Sequence, residues 1–104
     1  MERSIKAQDL KANLDQVTVI DVRRKADLDA DHVKLPGATW HDPEQIETWS
    51  AQLPKDKEVV LYCVRGGSVS NSVLDNLRGQ GITARYIEGG IAAWKEAGGA
   101  VVPK

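Results

Sequence analysis

The chain contains one cysteine, one methionine and no phenylalanine among its 104 residues. A lone cysteine excludes an intramolecular disulfide, which fits a reducing compartment. No stretch approaches the roughly 18 apolar residues that a membrane-spanning helix needs. The first residues also lack an apolar run of signal-peptide length. These absences predict a cytoplasmic protein, although a signal peptide removed earlier would leave no trace.

Neither sign of charge is in excess, because 14 lysines and arginines face 15 aspartates and glutamates and the net charge is −1. This balance argues against nucleic acid and against an anionic membrane surface as partners. Any anion-binding site must therefore be local, built from backbone groups and one or two side chains. The length and the apolar fraction of 41% predict a single globular domain over residues 1–104.

Strand-like and helix-like segments alternate along the chain, which predicts an α/β fold with a largely parallel sheet. Strands are predicted at residues 4–5, 17–20, 39–40, 58–62 and 85–87. Helices are predicted at residues 7–14, 43–53 with Asp42 as its N-cap, 68–78 and 90–97. The apolar tail, residues 100–104, is expected to lie back on the body of the protein.

The most informative segment places Cys63 directly after the predicted strand 58–62 and before a helix that begins near Ser68. In open α/β sheets, ligands bind at the carboxyl ends of the strands. Gly66 and Gly67 permit a close backbone approach, so several N–H groups can converge into an anion-binding nest. A thiol in that setting loses its proton more easily. The resulting thiolate suits attack on an anionic sulfur or phosphorus substrate.

Two polar side chains add to this loop. Arg65 can bind an oxyanion through two parallel hydrogen bonds. Ser68 can either cap the following helix or donate a hydrogen bond to a bound anion, and the sequence leaves both roles open. A lone cysteine is most often a small buried hydrophobe. The order of strand, cysteine, glycine-containing loop and helix is what favours Cys63 as a nucleophile.

Four segments stand in order along most of the chain: Val-Ile-Asp-Val-Arg at 19–23, His-Val-Lys-Leu-Pro-Gly-Ala at 32–38, Val-Leu-Tyr-Cys at 60–63 with its loop, and Ile-Glu-Gly-Gly-Ile-Ala-Ala-Trp at 87–94. Together they resemble the rhodanese family. Lys34 is an extra residue in the second segment. The resemblance implies a rhodanese-like α/β fold, in which a central, mainly parallel five-stranded sheet has helices on both faces.

The resemblance also implies a thiosulfate sulfurtransferase whose catalytic Cys63 cycles between thiol and persulfide. Thiosulfate would donate the sulfur, and cyanide, a thiol or a small redox protein would accept it. The implied substrate-binding residues are Val64, Arg65, Gly66, Gly67 and Ser68. The family implies no metal and no organic cofactor, and the charge balance predicts no nucleic-acid and no membrane partner.

The loop departs from the commonest family pattern, Cys-x-x-Gly-x-Arg. Ser68 occupies the sixth position, and an arginine stands at the third position as Arg65. Some thiosulfate-using single-domain relatives resemble this chain in the serine. Thiosulfate therefore remains the predicted donor, with Arg65 contacting its sulfonate, and mercaptopyruvate is disfavoured.

Two other functions are weighed against this one. A cysteine phosphatase or arsenate reductase needs Cys-x5-Arg, which would place arginine at position 69, where the chain has Val69. A non-catalytic rhodanese-like module that binds a partner or senses redox state typically lacks the cysteine that this chain keeps. The purely structural reading of the fold is weaker than either.

Three further residues are candidates for the cleft. Asp21 and Arg23 follow a predicted strand, and a structural ion pair is their favoured role. Trp40, near another strand end, is a candidate cleft wall. His32 and His41 do not stand at zinc-ligand spacing from Cys63, so no metal site is predicted.

Overall fold

A computed structural model of the chain describes residues 2–53 and 55–104. The strands are β1 (Ser4–Ile5), β2 (Thr18–Asp21), β3 (Val33–Lys34), β4 (Thr39–Trp40), β5 (Val59–Tyr62), β6 (Ala84–Ile87) and β7 (Val102–Pro103). The α-helices are α1 (Ala7–Lys11), α2 (Lys25–Ala30), α3 (Ile46–Ser50), α4 (Ser68–Gly79) and α5 (Gly90–Glu96). Short 3-10 helices cover Leu14–Gln16 and Pro43–Gln45. None of the helices in the described ranges combines the length and the apolar character that crossing a bilayer requires.

Five strands form one parallel sheet in the order β1-β6-β5-β2-β4. The remaining two, β3 and β7, form a separate antiparallel pair. This architecture confirms the predicted fold class. The pairing of β7 with β3 also confirms that the C-terminal tail lies back on the protein.

Helices cover both faces of the sheet, as the central strand β5 illustrates. All four of its residues are buried. The first and third side chains lie in the hydrophobic cluster that includes Leu74 of α4. The second and fourth lie in the cluster that includes Trp94 of α5. Since side chains alternate along a strand, the next residue, Cys63, lies on the α4 side.

Several elements differ from the sequence prediction. The helix predicted at residues 7–14 ends at Lys11 and is followed by a 3-10 turn. The helix predicted at 43–53 is also split into a 3-10 turn and α3. Asp42 caps this segment as predicted, because its carboxylate accepts a hydrogen bond from the backbone N–H of Glu44 at 2.9 Å.

Three elements, α2, β3 and β7, were absent from the sequence prediction, although β7 lies in the tail that was expected to lie back on the protein. No residue of α2 is buried, so this helix has no apolar stripe from which its period could be recognised. β3 has two residues and only one partner strand, which leaves no alternating pattern to detect.

Candidate active site

Cys63 follows β5 directly and is 6% exposed. Its Sγ accepts a hydrogen bond from the Ser70 hydroxyl, with 3.0 Å between oxygen and sulfur. Ser70 lies in the first turn of α4 and has no exposed surface. The strand end and the helix start therefore hold the sulfur from two sides.

The neighbouring helix α5 anchors the start of the loop. The carbonyl oxygens of Cys63 and Val64 accept hydrogen bonds from the N–H groups of Ile91 and Ala92, at 3.0 and 3.1 Å. Gly90 makes this approach possible. Its φ is +64°, and a Cβ there would lie 2.5 Å from both carbonyl oxygens.

The two loop glycines have different roles. Gly66 has φ +71°, and a Cβ on it would lie 3.0 Å from the Gly89 nitrogen and the Ile87 oxygen. It therefore permits the close backbone approach that the sequence predicted. Gly67 has a φ of −91° and serves as the N-cap residue of α4. A Cβ on Gly67 would meet nothing within 4 Å.

The carbonyl groups of Cys63 and Val64 are anchored, but the amides of the loop are free. Within the described part of the chain, the backbone N–H groups of Val64, Arg65, Gly66 and Gly67 donate to no other protein group. Backbone donors of this kind need a partner, and several close together in a turn favour an anion. The positive end of α4 adds to this preference.

A small cavity of about 240 Å³ opens beside the sulfur. It is lined by Arg24, Asp27, Cys63, Val64, Arg65, Gly67, Ser68 and Val69. A second groove of about 290 Å³ shares Arg24, Ser68 and Val69 with this cavity and extends to Glu44. Four of the five loop residues predicted to bind substrate thus line the cavity, and Gly66 lies behind them against α5.

Ser68 is the first residue of α4 rather than its cap. The N-cap residue is Gly67, and no side chain caps the helix. A capping role for Ser68 is therefore wrong in the structure, since the helix begins one residue earlier than a serine cap at this position requires. Ser68 is instead exposed and lines the cavity.

Asp21 and Arg23 form a buried pair, with Arg23 Nη2 2.7 Å from Asp21 Oδ2. Arg23 also donates to the Val33 carbonyl at 3.0 Å. Trp40 donates its indole N–H to the Arg23 carbonyl at 2.8 Å. None of these three predicted cleft candidates is among the residues that line the cavity.

Tyr62, immediately before Cys63, supplies no base. Its side chain lies on the opposite face of the sheet, in the cluster with Trp94. Burial, assisted by the charge of Asp21, raises the pKa of Tyr62, so the hydroxyl remains neutral. That hydroxyl accepts a hydrogen bond from the Leu35 N–H at 3.3 Å.

Sequence reasoning missed Arg24, Asp27 and Ser70. The first two are exposed residues at the start of α2, a helix that the sequence analysis did not recognise because it has no apolar periodicity. Ser70 could have been found from the sequence. It stands three, four and seven residues before Val73, Leu74 and Leu77, which is the spacing of residues on one helical face. A serine on that apolar helical face predicts a buried hydroxyl with a specific partner.

A larger cavity, of about 770 Å³, lies around the start of β2 and does not include the Cys63 loop. Within it, the rings of His41 and Trp49 stack with centroids 4.8 Å apart. Burial lowers the pKa of His41. No thiol lines this cavity, so its size does not make it the reactive site.

Comparison with known proteins gives a consistent family assignment. The family model "Rhodanese-like domain" matches residues 6–97. A tRNA sulfurtransferase from Desulfurococcus amylolyticus is 38% identical over 77 residues. That alignment spans 74% of this chain but only 14% of the relative, so the relative's remaining length has no counterpart here.

Solved structures share the whole architecture. A rhodanese-related protein from Thermoplasma volcanium is 29% identical with a TM-score of 0.88, over 99% of this chain and 100% of that one. A protein of unknown function from Rhodopseudomonas palustris, named a possible tyrosine phosphatase, is 26% identical with a TM-score of 0.82. The structural alignment covers 96% of this chain and 84% of the Rhodopseudomonas protein.

Proposed function

Because the chain belongs to the rhodanese-like domain family, we propose that it is a thiosulfate sulfurtransferase carrying sulfur as a persulfide on Cys63. One observation carries the proposal. The nucleophilic atom lies at a cavity bounded by unpaired backbone amides and two arginines, Arg24 and Arg65. That arrangement suits a small dianion that brings a sulfur atom to the thiol.

In the first half-reaction the Cys63 thiolate attacks the outer sulfur of thiosulfate. The new bond joins Sγ to that sulfur, and the S–S bond of thiosulfate breaks with its electron pair leaving on sulfite. The persulfide carries one negative charge on its outer sulfur. The free amides of residues 64–67 would stabilise that charge.

In the second half-reaction an acceptor removes the outer sulfur and returns Cys63 to the thiolate. Cyanide would give thiocyanate, and a thiolate would give a persulfide of the acceptor. The groove that shares Arg24, Ser68 and Val69 with the cavity offers room for an acceptor larger than cyanide, such as a cellular thiol or a small redox protein. No metal or organic cofactor enters either step.

A persulfide carrier with one free thiol needs a reducing compartment, so the proposed location is the cytoplasm. The name of the Desulfurococcus relative connects one longer protein of similar sequence with sulfur transfer. That name supports sulfur transfer as the reaction class. The choice of thiosulfate as the donor is supported by the cavity of this chain.

Steady-state kinetics test the proposal. With thiosulfate and cyanide, the protein is expected to release sulfite and thiocyanate in equal amounts. Double-reciprocal plots of the rate should give parallel lines, because the two half-reactions share one covalent intermediate. The Cys63→Ser variant should be inactive, while its unfolding curve stays close to that of the wild type. Turnover by Cys63→Ser at the wild-type rate would exclude the proposal.

A phosphatase is the rival to test in the same samples, given the name of the Rhodopseudomonas structure. An arginine that clamps a phosphoryl group would be expected at position 69, where half-buried Val69 stands. An aryl phosphate should therefore remain unhydrolysed. Hydrolysis that depends on Cys63, without sulfur transfer, would reverse the assignment. Absence of both activities would leave a non-catalytic binding module.

A further inference from the structure

The two proposed half-reactions leave the contact between Ser70 and Cys63 without a role. Serine hydroxyls within helices usually bond to a carbonyl of the preceding turn. Ser70 instead donates to Sγ at 3.0 Å. Among the described residues, it is the only side chain that donates a hydrogen bond to this sulfur.

Burial makes the contact consequential. Ser70 is 0% exposed and Cys63 is 6% exposed, so water has little access to an anion on Sγ. Val73 and Leu74, the next residues on this face of α4, belong to the same hydrophobic cluster as Cys63. A hydrogen bond to a charged group in such surroundings is stronger than a neutral one.

We propose that Ser70 is a second catalytic residue, whose hydroxyl stabilises Sγ as the leaving thiolate when the persulfide passes its outer sulfur to the acceptor. This role rests on the proposed function. In that step the bond between Sγ and the outer sulfur breaks and its electron pair goes to Sγ. The outer sulfur forms its new bond to the acceptor, so no external oxidant or reductant is needed.

The two half-reactions respond to this hydrogen bond in different ways. A thiolate that is better stabilised leaves faster, but it also attacks more slowly, with a Brønsted slope of about 0.4–0.5. Removing the hydroxyl therefore slows sulfur release. At a pH high enough to ionise all of the thiol, removing the hydroxyl leaves the loading of Cys63 from thiosulfate as fast as before or makes it somewhat faster. A residue that merely supports the fold would slow both steps together.

The test measures the two half-reactions separately in the Ser70→Ala variant. Alanine keeps the helix, because it has the highest helix propensity and removes only one oxygen. Transfer from the preformed persulfide to cyanide is expected to be about three- to tenfold slower than in the wild type. Loading from thiosulfate at high pH should change by less than about threefold.

An independent readout needs no sulfur transfer. The pH profile of Cys63 alkylation by iodoacetamide should move upward by about one pH unit in Ser70→Ala. Ser70→Thr retains a hydroxyl and should bring the profile back towards that of the wild type. Ser50→Ala is the matched control, because Ser50 is another buried serine, whose hydroxyl contacts Gln80.

The outcomes separate this inference from the proposed function. If Ser70→Ala releases sulfur as fast as the wild type, with an unmoved alkylation profile, the role of Ser70 is refuted and the sulfurtransferase stands. Equal slowing of both steps with an unmoved profile also refutes it. If the wild type cannot be loaded at all, the proposed function fails, and the alkylation profile alone decides whether Ser70 acts on the sulfur.

Discussion

At the level of single residues, Arg24 and Asp27 bring opposite charges to the lining of the Cys63 cavity. Both side chains are exposed, so their effects on a bound anion are modest and salt-dependent. Arg24→Gln should raise the KM for thiosulfate about two- to fivefold, because one attraction is lost. Asp27→Asn should lower it about twofold, because one repulsion is lost.

A neighbouring cation provides the control for this pair. Lys25 lies next to Arg24 and pairs with Asp29, outside the cavity lining. Lys25→Gln removes the same charge and should leave the KM for thiosulfate within experimental error. Equal effects of Arg24→Gln and Lys25→Gln would mean that only net charge matters and that Arg24 does not contact the donor.

The buried pair of Asp21 and Arg23 leads to a prediction about stability. Arg23 is 1% exposed, and removing Asp21, the closer of its two carboxylate partners, leaves a buried charge poorly compensated. Asp21→Asn should lower the free energy of unfolding by about 3 kcal/mol, measured by urea titration. An unchanged unfolding midpoint with a raised KM for thiosulfate would place Asp21 in the cleft instead.

Single residues also mark the limit of what the sequence predicted. Cys63 and its loop were recognisable because a strand, two glycines and a helix surround the cysteine along the chain. Arg24 and Asp27 come to the cavity from another part of the chain. Contacts between segments distant in sequence are set by packing, and no pattern within either segment encodes them.

At the level of elements, the junction between α5 and the Cys63 loop is the most constrained packing at the site. Gly90→Ala would place a Cβ within 2.5 Å of the carbonyl oxygens of Cys63 and Val64, at a positive φ. We expect it to reduce the free energy of unfolding by about 2–4 kcal/mol. Sulfur transfer should fall as well, because the cradle shifts. Thermal denaturation and sulfite release measure the two effects.

Gly79→Ala is the matched substitution for this test. Gly79 ends α4, and a Cβ there would meet nothing within 4 Å. Its φ lies outside the positive range, so alanine should be neutral or should stabilise the protein by about 0.5 kcal/mol. If Gly90→Ala behaves like Gly79→Ala, the close approach of α5 to the loop is not what holds the site.

Burial explains part of what the sequence predicted correctly among the helices and strands. β5 is buried at every position and was predicted to within one residue. β1 and β4 agreed with prediction, although each has only two residues. α2 was missed because its surface is all solvent-facing or half-buried, and burial is what imposes a helical period.

At the level of the whole molecule, Asp31 joins three parts of the fold. Its Oδ2 lies 2.8 Å from Lys95 Nζ of α5 and 3.1 Å from Arg23 Nη1 beyond β2. Its Oδ1 accepts from the Val33 N–H at 3.3 Å. Burial alone would raise the pKa of Asp31, but the hydrogen bonds from Lys95 and Val33 outweigh it and lower the pKa.

Because the pKa of the Asp31 carboxyl is lowered by folding, its contribution to the free energy of unfolding decreases as the pH falls. The contribution of Asp31 is fully present above the unfolded pKa of about 3.9 and is lost as the pH falls through the lower folded pKa. Asp31→Asn should therefore be less stable than the wild type by about 1 kcal/mol at neutral pH. The two proteins should converge as the pH falls below the folded pKa of Asp31.

Urea unfolding between pH 7 and pH 3 measures this difference, with Asp29→Asn as the control. Asp29 pairs with Lys25 on the surface of α2, where an exposed pair contributes little. A gap between the wild type and Asp31→Asn that persists undiminished at low pH would show that the charge of Asp31 is not its source. The same curves test whether the chain unfolds in one cooperative transition, as the expected single domain requires.

The central claim concerns one atom, Sγ of Cys63, and intact-protein mass spectrometry after incubation with thiosulfate tests it most directly. The wild type is expected to gain the mass of one sulfur atom, to lose it on treatment with cyanide, and to show no gain as Cys63→Ser. A folded wild type with a reduced Cys63 that gains no sulfur from thiosulfate would contradict the account.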